Sequence, residues 1–184
     1  LRQAKNESQA RRNVGILFEN QRLTNETQAA MRKLREMQFA DGAWPWMPGG
    51  RASDYITLYI TTGFGRMRAM DVDIDASMAI KAINRLDDWM NRTYLRIKEH
   101  GNLEANNLSS LIAQYLYCRS FFLKDRAIAP QHREAVEYFI NQAVKKEKDG
   151  TQYFLRLSRM NQAQVAIAMN RLGKFQKKAE YDHL

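Results

Sequence analysis

One cysteine, Cys118, and three prolines, Pro45, Pro48 and Pro130, are all that this 184-residue chain has of either residue. A lone thiol cannot close an internal disulfide, so no covalent staple holds the fold. With so few prolines, most of the chain is free of the residue that breaks helices. Apolar runs are short, and none approaches the ~18 residues that a membrane span needs. Strict apolar–polar alternation is nowhere sustained, so no substantial sheet is expected. A Gly-rich phosphate loop and a Gly-x-Ser-x-Gly elbow are both missing. His100, His132 and His183 show no metal-ligand spacing. No cofactor is expected.

What the chain does have is positive charge, a formal +9, with 45% apolar residues. Its length fits one domain over residues 1–184, able to bury roughly 70% of the surface of its unfolded chain. It begins at Leu1 and is expected to be a fragment of a longer protein. The lysines and arginines spread along most segments, with small clusters at Lys145-Lys146-Lys148 and Lys174-Lys177-Lys178. No long basic face is interleaved with aromatics, so a solvated surface is expected and no nucleic-acid partner. Cys118 lies near Tyr115 and Phe122, which predicts a packed thiol and not a nucleophile.

Long segments repeat at helical period, which predicts seven helices. Their stripes are Val14, Leu17, Phe18; Ala30, Met31, Leu34, Met37; Ile56, Tyr59, Ile60, Gly63, Phe64, Met67; Met78, Ala82, Ile83, Leu86, Trp89, Met90, Ile97; Leu108, Leu111, Ile112, Tyr115, Phe122; Val136, Phe139, Ile140, Ala143; and Met160, Ala163, Ile167, Asn170. Expected start signals are Thr24 or Asn25, Ser53, Asp73, Asn106 or Asn107, Pro130 and Ser158. Gly42, Gly101 and Gly150 are expected to end the second, fourth and sixth helices, with tight turns such as Leu23-Thr24 inside each pair. Helix, turn, helix and glycine loop then recur every ~50 residues, the period of stacked helical hairpins. Asp149-Gly150 with Tyr153 echoes Asp41-Gly42 with Trp44.

The most distinctive stretch is the long loop from Phe39 to Ser53, with two tryptophans, two prolines and Gly49-Gly50. Gln38, Gly42 and Trp44 follow the pattern Gln, three residues, Gly, one residue, Trp, which in helical-hairpin toroids locks one hairpin to the next. Trp44 and Trp46 are expected to fold back on the hairpin ends, because an exposed tryptophan pair is costly. Gln38, Asp41, Gly42, Trp44, Trp46, Gly49 and Gly50 are therefore read as a structural motif and not as catalytic residues.

These residues, with the helix start Asp54-Tyr55-Ile56-Thr57-Leu58-Tyr59 and Val72-Asp73-Ile74-Asp75, carry a resemblance. The stretch from Leu34 to Asp75 resembles the thioester-type domain of the alpha-2-macroglobulin and complement superfamily, most closely its bacterial alpha-2-macroglobulin-like members. These read Leu-x-x-Leu-Gln, Asp-Gly-Gly, Trp or Phe, and then a helix opening Thr-Ala-Tyr. Sharp matching covers about a quarter of the chain, and the rest resembles the following hairpins more loosely. The resemblance implies an all-α fold of stacked helical hairpins, a partial α/α toroid like those of terpenoid cyclases and prenyltransferases. It implies a protease-trapping or inhibitory parent at the periplasm or cell surface, with target proteases and the parent's other domains as partners. The family's chemistry needs Cys-Gly-Glu-Gln, whose thiol and glutamine form a thioester. Here Cys118 is followed by Arg119-Ser120-Phe121, so this chain is expected to be non-enzymatic and unable to form the thioester. The motif stands before Leu1 in the parent or has been lost.

Two other chemistries are weaker. Asp71-Val72-Asp73-Ile74-Asp75 alternates its acids, unlike a cyclase's adjacent aspartates, and lacks the glycine and closing glutamate of a calcium loop. A helix-capping turn explains it better. Asp87, Cys118 and His132 could form a prenyltransferase-like zinc set only if the fold gathered them. A toroidal enzyme of the cyclase or prenyltransferase type and a helical-repeat binding module remain the alternative readings.

Overall fold

In the computed structural model the backbone is described for residues 2–181, and the side chains chiefly between 21 and 173. The chain is all-α: six helices account for nearly all regular structure among the described residues, and the two strands are two residues long each. Residues 1–38 form one compact unit and residues 39–184 another.

The first unit is a single helix, α1, Arg2–Met37. The turn expected at Leu23-Thr24 is absent, and the helix runs straight through it. Threonine and asparagine are only a few tenths of a kcal/mol worse than average inside a helix, and neither stops one unaided. Side chains also bridge the expected break. Gln21 Nε2 donates to Asn25 Oδ1 at 3.4 Å, and Arg22 pairs with Glu26 at 3.6 Å, both one turn apart.

In the second unit, strands β1 (Trp44–Pro45) and β2 (Ala52–Ser53) pair antiparallel and close the long loop. Helices α2 (Asp54–Ala69), α3 (Ser77–His100), α4 (Ser110–Arg119), α5 (Pro130–Val144) and α6 (Arg159–Tyr181) follow. They pack in two rows: α2 lies against α4 and α4 against α6, while α3 lies against α5, and the hairpin partners α2 and α3 join the rows. This is the arrangement that stacked hairpins require.

Buried faces match most of the apolar stripes on α3, α4 and α5, where Met78, Ala82, Ile83, Leu86, Met90, Ile112, Tyr115, Val136 and Phe139, with Phe122 just past α4, are nearly or fully inaccessible, but Leu111 of the α4 stripe is 38% exposed. Two stripes are corrected. On α2 the inner face carries Thr57, Leu58, Thr61, Thr62, Phe64 and Gly65, while Tyr59 is exposed. Each threonine donates its hydroxyl to the carbonyl four residues back, at 2.7 Å, to Ser53, Thr57 and Leu58 respectively. With the hydroxyl satisfied internally, the methyl group packs as an apolar surface. On α6 the inner face is Gln164, Val165, Ala168 and Leu172, and the expected Met160 and Ile167 are exposed. That segment has two overlapping apolar stripes, and packing against α4 selects the other one.

Helix starts show the same mixture. Ser53 Oγ accepts from Ile56 N at 3.3 Å, Pro130 opens α5, and Ser158 Oγ accepts from Asn161 N at 3.3 Å, all as expected. Asp75, not Asp73, serves α3, accepting from Ser77 N at 2.9 Å. Ser109, not Asn106 or Asn107, caps α4, accepting from Ile112 N at 3.3 Å. Asn107 is committed elsewhere: its Nδ2 donates to Asn102 O, Ala105 O and the Tyr138 hydroxyl. Gly101 sits at the end of α3 with extended backbone, not the left-handed conformation expected there. Gly150 lies past the end of α5, in a separate turn.

That turn repeats the one at Gly42. Phe39 N donates to Ala43 O and Gly42 N to Phe39 O; Glu147 N donates to Thr151 O and Gly150 N to Glu147 O. In each, the aspartate before the glycine accepts from the amide two residues on, Ala43 N at 3.1 Å and Thr151 N at 2.8 Å. The glycines have φ of 88° and 83°, a region costly for any residue with a Cβ. The sequence echo is a structural one, and each turn precedes a helix of the α2–α4–α6 row.

Candidate functional site

The loop from Phe39 to Ser53 is built downward onto α3 and α2. At Gly42 an added Cβ would stand 2.8 Å from the Lys81 carbonyl oxygen and 2.9 Å from Ala82 Cα and N. Glycine is required there both by the backbone angle and by close approach to α3. The next residues, Ala43 and Trp44, are fully buried. Trp44 N donates to Thr57 Oγ1 at 2.9 Å, which ties β1 to the first turn of α2.

Charge fixes the rim of this loop. Arg85 of α3 donates from Nη1 to Asp41 Oδ2 at 2.6 Å and from Nε to Asp54 Oδ1 at 2.7 Å. The Ala43 amide is the chief cause holding the Asp41 carboxyl below its ordinary range, with Arg85 adding to it. Trp46 departs from expectation: it is 65% exposed, and its ring stacks on that of Tyr55 at 6.0 Å. Met47 N-terminal to the next turn is also exposed; Gly50 N donates to Met47 O at 2.9 Å, and Gly49 has φ of 75°. Gln38 falls in the helical unit, where its amide donates to Arg35 O at 3.3 Å. Of the motif, then, Asp41, Gly42 and Trp44 lock loop to helix, Gly49 and Gly50 turn the outer end, and Trp46 lies outside the core.

Cys118 is fully buried on α4. Burial pushes its thiol up to about 12, with the neighbouring Thr62 side chain and Arg119 pulling the other way. A group so rarely ionised is a poor nucleophile. Phe121, three residues on, packs edge-to-face on Tyr117 at 4.8 Å.

A buried carboxylate that the sequence offered only as a possible zinc ligand is instead tied to two side chains of α4. Asp87 Oδ1 accepts from the Tyr115 hydroxyl at 2.7 Å and from Arg119 Nε at 3.0 Å, linking α3 to α4. Arg119 also donates from Nη2 to Arg126 O at 2.7 Å. Burial pushes the Asp87 carboxyl above its ordinary range, against the pull of Arg119 and Tyr115. A signal was available: Asp87 follows Ile83 by four residues and so falls on the apolar stripe of α3.

Asp87, Cys118 and His132 do not come together as a zinc set. Asp87 is held as above, and His132 Nε2 lies 2.9 Å from Asp88 Oδ1. No group of three or more potential metal ligands occurs among the described residues. Arg119 Nη1 and His132 Nδ1 are buried without a hydrogen-bond partner among them. The Asp71–Asp75 segment ends α2 and starts α3: Asp71 takes φ of 56° as Val72 N returns to Met67 O at 3.0 Å, and Asp75 serves the α3 start. The side chains of Lys174, Lys177, Lys178 and His183 lie outside the described residues. No helix among the described residues is long and apolar enough to cross a membrane. No protein-family model, curated protein or solved structure matches this chain.

Proposed function

We propose that this chain is a non-catalytic part of a bacterial alpha-2-macroglobulin-like, protease-trapping protein, drawn from its thioester-type α/α toroid. The observation that carries the reading is the seating of Asp41-Gly42-Ala43-Trp44 on α3. The residues that carry the resemblance act there as a lock between loop and hairpin, with glycine against backbone and tryptophan in the core. Repetition of the same Asp-Gly turn ahead of α6 supports a hairpin array of the kind a toroid is built from. On this reading the chain provides rigid scaffold, its partners are the parent's other domains and the trapped protease, and it works at the periplasm or cell surface. The parent protein tests it. When mixed with a protease, a trap leaves cleavage of a short peptide substrate intact while sparing a large protein substrate. Equal cleavage of both substrates, with no protease retained by the parent, removes the proposal.

A further inference from the structure

We infer that the C-terminal end of α4 is a docking surface for a carboxylate-rich protein segment. The inference is independent of the protease-trap reading. Three helices of one row meet here. Tyr117 of α4 and Phe121 just past its end pack edge-to-face, Arg66 of α2 lies over the Tyr117 ring at 5.7 Å, and Arg171 of α6 lies over the Phe121 ring at 4.2 Å. Arg171 is held further by its Nη1 donating to Ser120 Oγ at 3.4 Å.

The Phe121 ring is closely seated. A Cβ added at Gly65 would stand 2.5 Å from Phe121 Cδ2, so that ring rests on bare α2 backbone. Two guanidiniums stand over aromatic faces, a placement compatible with paired hydrogen bonds to carboxylates. Side chains already ordered in this way lose less freedom on binding.

The local charge is one-sided. Arg68 is neutralised by Asp125 at 2.8 Å. Arg66 and Arg171, with Lys124 and Arg126 of the adjoining turn, have no carboxylate partner among the described residues. Asp71 and Asp73, which follow α2, pair with none of them, and Asp75 is engaged at Ser77. Elsewhere in the unit Arg85 and Arg156 each hold two carboxylates. A complementary partner therefore brings acids to the two arginines over the rings, with Lys124 and Arg126 in the turn that follows α4. Nucleic acid suits the surface less well. Tyr117 is 9% exposed and each ring has a guanidinium over it, so little aromatic face is offered to a base.

Fluorescence anisotropy with the full chain and a labelled octaglutamate peptide at low ionic strength tests the inference. Binding is expected, falling as salt is raised. The double variant R66Q/R171Q should weaken it by about tenfold or more, while K146Q/K148Q, which removes the same charge elsewhere, should leave it unchanged. Circular dichroism and thermal melting establish that both variants fold. If R66Q/R171Q does not fold, R126Q with K124Q carries the same comparison. No peptide binding, or equal weakening by the two charge-matched variants, overturns the inference. So does tighter, patch-dependent binding of an oligothymidylate of equal charge, which would assign the surface to nucleic acid instead.

Discussion

Asp87→Ala tests the core of the second unit most directly. Asp87 is 2% exposed and its partner Arg119 1%. Removing the carboxylate leaves a guanidinium without a counter-charge, with Nη1 already lacking a partner. Breaking one side of a buried ion pair costs about 3–5 kcal/mol. The Tyr115 hydroxyl loses its acceptor as well, an orphaned donor that costs about 1–3 kcal/mol. A domain of this kind is stable by only ~5–15 kcal/mol, so much of the margin should disappear.

Arg119→Met behaves differently, because the carboxyl left behind can take up a proton. Burial already raises Asp87 above its ordinary 3.8, and losing the arginine raises it further. A carboxyl whose folded-state value is raised binds its proton more tightly in the folded state. Its contribution is therefore complete below about pH 4 and is lost as pH rises through the folded-state value. Urea unfolding at pH 4, 5.5 and 7 should show Arg119→Met losing stability toward neutrality relative to the wild type, while Asp87→Ala shows no such slope from this site. The double variant should recover part of the summed loss, since no unpaired charge remains. An Asp87→Ala cost below about 1 kcal/mol, or fully additive losses, would refute the reasoning.

Gly42→Ala and Gly150→Ala share a turn and a positive φ, but only Gly42 meets a neighbouring backbone. Thermal or urea unfolding should show about 1–2 kcal/mol lost at Gly150 and roughly 1–3 kcal/mol more at Gly42 from overpacking; equal losses would contradict the lock. Trp44→Ala should cost roughly 3–5 kcal/mol, the range for a buried large aromatic. Trp46→Ala, at an exposed ring, should stay within about 0.5 kcal/mol of the wild type. Cys118 should resist iodoacetamide until the chain unfolds, and methylamine should leave the intact mass unchanged; an adduct on the folded chain would show a reactive acyl group after all.

How far the fold was legible depended on what each signal reports. Periodicity reports an apolar stripe, and on α3 the stripe and the buried face coincide. On α2 they do not, because Thr57, Thr61 and Thr62 count as polar in sequence yet bury methyl groups once their hydroxyls bond backward. Cap residues report local competence to start a helix, and competence is shared. Asn106, Asn107 and Ser109 could all have capped α4, but the Asn107 side chain is bonded to Tyr138 and that of Asn106 to the Leu108 amide, and Ser109 caps. The ion pair of Asp87 with Arg119 was the least legible feature, since its two halves are brought together only when α3 and α4 pack.

The Asp-Gly turns were legible for the opposite reason. Their geometry is closed within five residues, by an aspartate that accepts two residues ahead and a glycine that takes the left-handed angle. Nothing distant is needed to form them, so Asp149-Gly150 reproduces Asp41-Gly42 despite different surroundings. What distinguishes the two is what they are placed against. Gly42 sits on α3 and delivers Trp44 into the core with Arg85 gripping Asp41; Gly150 faces open space, although Arg156 grips Asp149 in the same way at 2.6 Å. A locally determined turn thus recurs ahead of two helices of one row, and the sequence around it decides whether it also anchors the loop to a neighbouring helix. In this chain the tight anchor coincides with the residues that carry the family resemblance, which is the reason to regard them as architecture and not chemistry.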